Sequence, residues 1–346
     1  MNKNVKRIEY ISLASVISAI AVIYLHANCF WNFSTSRSWF TANIIESFFY
    51  FAVPVFFMIS GAMLLDFNKK YGMNTYFKKR ITKTVIPYII WSFIGLFIEI
   101  FYIHNIKPAD VNLAYIVNGL INGNLVQIYW FFIPLFCIYL SIPVFAYLNN
   151  KNKKDILIYV AAITFILNIL IPFIISVFNL PISYSISVDV CGGSLFFALV
   201  GYLLHKYELS KKQRVIFYLL AIFGLLLHIL GTYYLSMGAG EIIKTYKGYT
   251  NLPSVLYSIG IFIFIKYGLV NIMKIGTINK IVHFLDYYTF GIYLIHWYLL
   301  KFIMITFNLS NTSIIFRLFS PIIVLIMSVI VIYLIRKIPI IKNIVP

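Results

Sequence analysis

Acidic charge is scarce in this chain. Its 346 residues include ten Asp and Glu against 28 Lys and Arg, and only 11% are charged while 62% are hydrophobic. Soluble domains carry about 25% charged residues, so too little polar surface exists to cover a water-facing globule, which excludes a soluble multidomain protein. Cysteine is equally sparse. Cys29, Cys137 and Cys191 form no CxxC spacing, which argues against both a disulfide framework and a thiolate metal site; no bound metal or cofactor is expected. Glycine-rich phosphate loops, HExxH and GxSxG are missing too, as are linkers, low-complexity tracts and any soluble segment. The lack of a clear internal repeat argues against transporters built from duplicated halves.

Long apolar runs are what the sequence does have. A bilayer core of about 30 Å needs about 20 apolar residues per helix, and ten runs meet that need, near 10–30, 42–65, 84–104, 127–148, 155–178, 189–206, 214–236, 251–273, 284–305 and 313–335. Backbone groups in hydrocarbon must be satisfied internally, so such runs are helices or a closed barrel, and continuous rather than alternating hydrophobicity selects helices. The expected fold is an all-α integral membrane bundle of about ten transmembrane helices, a single domain over 1–346. The run after MNKNVKR exceeds a signal-peptide apolar region of 7–15 residues and reads as a retained first helix. The connections 66–83 and 105–126 are long enough for short helices, and Gly192-Gly193 suggests a close helix contact.

The basic residues fix a direction. With the N-terminus inside, 22 of the 28 fall in inner segments, from Lys3, Lys6 and Arg7 to Arg336, Lys337 and Lys342, while Arg37, Lys107, Lys244 and Lys247 lie outside. The remaining two, Lys301 and Arg317, sit near outer helix ends, where long side chains snorkel. This alternation is the positive-inside pattern and puts both termini in the cytoplasm. The same clustering explains the +18 charge without nucleic acid.

Ionisable groups at membrane depth are functional candidates. His26 ends a stripe of Ser12, Ser15, Ala19 and Val22 on the first helix; Ser15 and His26, eleven residues apart, differ by about 20° around the axis and about 16 Å along it. That small, polar stripe faces the bundle, where His26 is either a functional group or a neutral histidine satisfied by an interhelical hydrogen bond. His296, with Tyr293 three residues before it, falls near mid-membrane in TFGIYLIHW, where packing competes with chemistry. Glu46, Glu99 and Asp189 lie toward outer helix ends. They either orient a histidine or bind an acceptor hydroxyl, or, on the plainer account, reach the wet interface. His228 is a weaker candidate. The segment Tyr76–Lys83, with Arg80 and Lys83, serves orientation and also suits a phosphorylated cytoplasmic ligand.

Several segments in order resemble the membrane-bound acyltransferase family 3, bacterial O-acyltransferases of cell-surface polysaccharides. They are Tyr10-Ile-Ser-Leu with Leu25-His26-Ala, Pro54 to Leu65 with Ser60-Gly61, Tyr76 to Trp91, Tyr129-Trp130 to Pro143, Val200-Gly201-Tyr202 and Phe290 to His296. The resemblance implies a ten-helix fold in the bacterial inner membrane and a cytoplasmic acyl-CoA donor, usually acetyl-CoA. It also implies a glycan or lipid-linked sugar acceptor, with polysaccharide-assembly proteins as partners. His26 matches the family's essential histidine, expected as general base; Arg80 and Lys83 match its basic segment near the donor phosphates; Ser15, Glu46, Glu99, Tyr293 and His296 are supporting candidates. One departure stands out. The family carries an arginine eleven residues before the histidine and an acid three residues earlier, where this chain has Ser15 and Ser12. That departure keeps a second reading in view, a polysaccharide exporter or inactive assembly partner.

Overall fold

The computed structural model describes residues 8–339 and 341–346, so Lys3, Lys6 and Arg7 of the basic pattern lie outside the described residues. Those residues form no strand. Among the described residues, nine helices are long and apolar enough to cross a membrane. With three shorter ones they run in chain order as α1 Glu9–Ala27, α2 Arg37–Lys69, α3 Met73–Phe101, α4 Leu113–Asn122, α5 Gln127–Ala146, α6 Lys153–Val177, α7 Ser194–Lys206, α8 Lys211–Ala239, α9 Leu252–Lys274, α10 Gly276–Asp286, α11 Thr289–Thr306 and α12 Ile314–Lys337. The expected short helices do occupy the long connections: α4 lies within 105–126, and Met73–Arg80 begins α3.

The tenth crossing differs from expectation. At 13 residues, α7 is about 20 Å long at 1.5 Å per residue, well short of the apolar thickness. Gly193 immediately precedes it at φ +59° and ψ −126°, a region closed to most side chains. A Cβ there would meet nothing within 4 Å, so the glycine pair turns the chain into α7 rather than making a helix contact. Asp189 sits before that turn, exposed and held by Ser187 Oγ at 2.8 Å.

Close helix contacts arise elsewhere. A Cβ on Gly61 of α2 would lie 1.7 Å from the Ala198 carbonyl oxygen of α7, and one on Gly201 of α7 would lie 2.2 Å from the Met58 oxygen of α2. These two backbones therefore touch. In lipid, where burying apolar surface gains nothing between helices, such small-residue packing supplies the adhesion.

Ion pairs gather the basic connections at one end. Asp66 meets Lys69 at 3.2 Å, Lys153 at 3.2 Å and Lys206 at 3.1 Å, and Lys266 meets Glu208 at 3.0 Å. Tyr10 Oη lies 2.6 Å from His205 Nδ1, which brings the start of α1 to this same basic end. At the opposite end Arg317 turns inward instead of snorkelling. It is 1% exposed, and its guanidinium donates to Ser38 O, Ser38 Oγ, Thr41 Oγ1 and Thr312 O.

Candidate active site

α1 carries its polar stripe against α10 and α11, as the helical spacing predicts. Ser12 Oγ donates to Asp286 Oδ2 at 2.8 Å and Ser15 Oγ to Thr289 Oγ1 at 3.1 Å. About three turns beyond Ser15, the His26 ring lies 5.2 Å from that of His296 and 5.7 Å from the indole of Trp297, centroid to centroid. The stripe thus ends on a pair of histidines at the end of the bundle opposite the basic one.

The state of His296 follows from its neighbours. Its Nδ1 is 2.8 Å from the Tyr293 carbonyl and 3.1 Å from that of Ile292. Carbonyls only accept, so the neutral ring carries its proton on Nδ1 and presents an unprotonated Nε2. That Nε2 is buried without a hydrogen-bond partner, in the ring that faces His26.

Of the three outer carboxylates, Asp189 is exposed as the plainer account expects, whereas Glu46 and Glu99 are buried away from the wet interface. Glu99 is 6% exposed and accepts from Asn105 Nδ2 at 2.9 Å and Trp297 Nε1 at 3.3 Å; it orients the indole that packs on His26 rather than touching a histidine itself. Glu46 is 4% exposed. It accepts from Asn28 Nδ2 at 3.2 Å and pairs with Lys247 Nζ at 3.9 Å. The ammonium of Lys247, expected in an outer loop, is enclosed beneath the rings of Phe30 and Tyr50, 3.9 and 4.4 Å away. Burial lowers its pKa and the Glu46 carboxylate opposes that shift. His228, fully buried, sits behind this pair with its ring 4.9 Å from Tyr50.

These groups surround a cavity of about 600 Å³ lined by His26, Asn28, Glu46, Tyr50, Gln127, Trp130, Tyr249, Tyr293, Trp297, Lys301 and Asn311, among others. Its volume is that of a small-molecule site, and its lining is the usual mixture of aromatic faces and a few polar groups. Lys301 stands 4.6 Å over the Trp297 ring, facing this space rather than lipid headgroups.

A second, smaller cavity of about 190 Å³ lies further along the stripe toward the basic end. It is lined by Ser15, Phe56, Ile59, Ser60, Thr84, Phe131, Leu135, Tyr139, Thr289, Phe290 and Tyr293. Its polar groups are all hydroxyls. Arg80 stands 5.3 Å over the ring of Tyr139, while Lys83, within the π-turn Ile81–Val85, is exposed. The structure therefore brings Ser15 to one cavity, with Arg80 against the Tyr139 of its wall, His26, Glu46 and His296 to or behind the other, Tyr293 to both, and Lys83 to neither.

Trp297, Asn28 and Lys247 were not foreseen as site residues. Trp297 adjoins His296 in sequence, a signal that was present. Asn28 and Lys247 gain their roles only through contacts with Glu46 on another segment.

The described residues thus form a polytopic helical bundle with a cavity lined by His26 in one half and a hydroxyl-lined cavity in the other. Residues 8–337 match the family model described as an acyltransferase domain, acyltransferase family 3, and the chain belongs to that family. It is accordingly a multi-pass membrane protein with an O-acyltransferase kind of function. Searches of curated proteins and of solved structures gave no match.

Proposed function

We propose that this protein is an O-acyltransferase, acting most naturally with acetyl, that moves an acyl group from cytoplasmic acyl-CoA to a hydroxyl of a cell-surface polysaccharide or its lipid-linked precursor across a bacterial inner membrane. The observation that carries this reading is the position of His26, on the wall of the larger cavity and against both His296 and Trp297. An alcohol is far too weak an acid to ionise unaided, so transfer needs a base at the acceptor. His26 takes the hydroxyl proton as the oxygen attacks the thioester carbonyl. The C–S bond breaks, the C–O bond forms, and the proton passes to the departing thiolate. An unprotonated His296 Nε2 is suited to accept an N–H from His26 and so to fix its orientation.

The lining of the larger cavity supports a sugar acceptor. Flat faces of Trp130, Trp297 and Tyr249 suit the C–H faces of a pyranose ring, while Gln127 and Asn311 offer both donors and acceptors to its hydroxyls. At the basic end, Arg80 offers a planar fork for the donor's phosphates; Lys83, facing outward, would attract the anion at longer range. Replacing His26 by Ala in a strain that depends on this gene and measuring O-acetyl content of its surface glycan tests the assignment. Loss of acetylation is expected, and unchanged acetylation refutes it.

The second reading, an exporter or inactive assembly partner, is favoured by Ser15, which replaces the family's helix-one arginine and bonds only a neutral hydroxyl. Purified protein that neither binds nor hydrolyses acetyl-CoA, together with glycan retained inside a knockout, would favour it.

A further inference from the structure

Phe131 and Tyr293 are the residues shared by the linings of the two cavities. Their rings are 5.3 Å apart and tilted by 55°, and each residue is 8% exposed. They form a wall between the space at His26 and the space at Ser15. The wall is held from both sides. Tyr293 Oη donates to the Ile128 carbonyl at 2.6 Å, and Tyr129 Oη donates back to the Leu294 carbonyl at 2.8 Å. These reciprocal bonds tie the 3₁₀ turn Gln127–Phe131 that opens α5 to the middle of α11. Phe131 is also stacked on Phe57 of α2, at 4.9 Å and 15°.

We infer that this wall sets the size of acyl group the protein transfers: Phe131 and Tyr293 admit a short acyl thioester to His26 and exclude longer chains. The inference rests on the acyl-transfer reading above. A donor entering from the basic end must bring its thioester carbonyl to the edge of these two rings, where the acyl chain packs against them and the acceptor hydroxyl reaches the carbonyl from the His26 side. The arm behind the thioester then lies in the smaller cavity, whose lining is neutral. Ser15, Ser60, Thr84, Tyr139 and Thr289 can hydrogen-bond amides there. Rings clamped by hydrogen bonds and stacking have little room to retreat, and overfilling such packing is costly. Each methylene added to the acyl chain therefore meets rising resistance at the wall.

The test is transfer by the full-length protein in lipid nanodiscs, with acetyl-, butyryl- and hexanoyl-CoA as donors and a soluble oligosaccharide as acceptor. Wild-type protein is expected to prefer acetyl strongly. In Phe131→Ala the butyryl-to-acetyl ratio of kcat/KM is expected to rise at least tenfold, and Tyr293→Phe, which keeps the ring but removes its tether, should raise it about threefold. If Phe131→Ala does not fold, Phe131→Leu decides, with at least a threefold rise expected. Wild-type acetyl transfer with an unchanged ratio in the folded variants would overturn the wall while leaving the acyltransferase reading intact. No transfer by wild type with any donor would overturn both.

Discussion

The two cavities differ in the chemistry they hold, although one stripe of α1 serves both. The larger carries titratable groups: His26 faces His296, and Glu46 is tied to Asn28 and Lys247. The smaller carries hydroxyls, with Arg80 standing over Tyr139 beside it. Proton transfer needs a base whose protonation can change, whereas holding a neutral arm needs groups that bond without changing charge. The division teaches that Ser15, which looks like a loss when compared with the family's arginine, is consistent with its surroundings, because Thr289 supplies it a partner of like kind.

That comparison is breakable at graded cost. The largest effect is expected at His26. Removing a general base costs about 10²–10⁴-fold, so His26→Ala should lower kcat by that range with little change in donor affinity, measured by transfer kinetics in nanodiscs. A fall in donor affinity alone would erase the distinction between the two ends. Lys247→Met comes next and acts on stability. Leaving a buried carboxylate without its cation costs about 3–5 kcal/mol, which should appear as a lowered unfolding midpoint in denaturant titration. Adding Glu46→Gln should restore most of it, because the uncompensated charge is then gone.

Arg80→Ala should act on donor binding where His26→Ala acts on turnover. A hydrogen bond to a charged group contributes about 1.5–3 kcal/mol, so donor KM should rise roughly tenfold or more while kcat changes little. A loss confined to kcat would move Arg80 out of donor binding. The smallest effect is expected at His296. If its Nε2 orients His26, His296→Ala should cost about fivefold to tenfold in kcat, the value of one ordinary hydrogen bond of about 1–1.5 kcal/mol, and His296→Gln, which still offers an acceptor, should recover part of it. Equal losses in both variants would assign the residue to packing.

Much of the fold was legible because hydrophobic length and basic-residue alternation are local properties of the chain. Nine crossings reach spanning length where runs were expected. The tenth fell short because an apolar count over 189–206 cannot weigh the turn that Gly193 imposes. The polar stripe was legible too, since helical spacing alone puts Ser15 and His26 on one face. Partners were not. Glu99 reaches Trp297 across 198 positions, and Lys247 reaches Glu46 from a segment that charge counting assigns to open water. Burial of these carboxylates depends on which helices pack together, a property that no run of residues carries. The wall between the cavities was equally hidden, because Phe131 and Tyr293 meet only when α5 is docked on α11.

The most direct test of the account is sided transfer in sealed proteoliposomes of known protein orientation, because it asks whether the two cavities are the two ends of one transfer path. Membrane-impermeant acetyl-CoA is supplied to one face and an impermeant oligosaccharide to the other. The account predicts acetylated oligosaccharide only when the donor is at the Arg80 face and the acceptor at the His26 face, with the product lost in His26→Ala. Transfer with donor and acceptor both confined to the His26 face would contradict it.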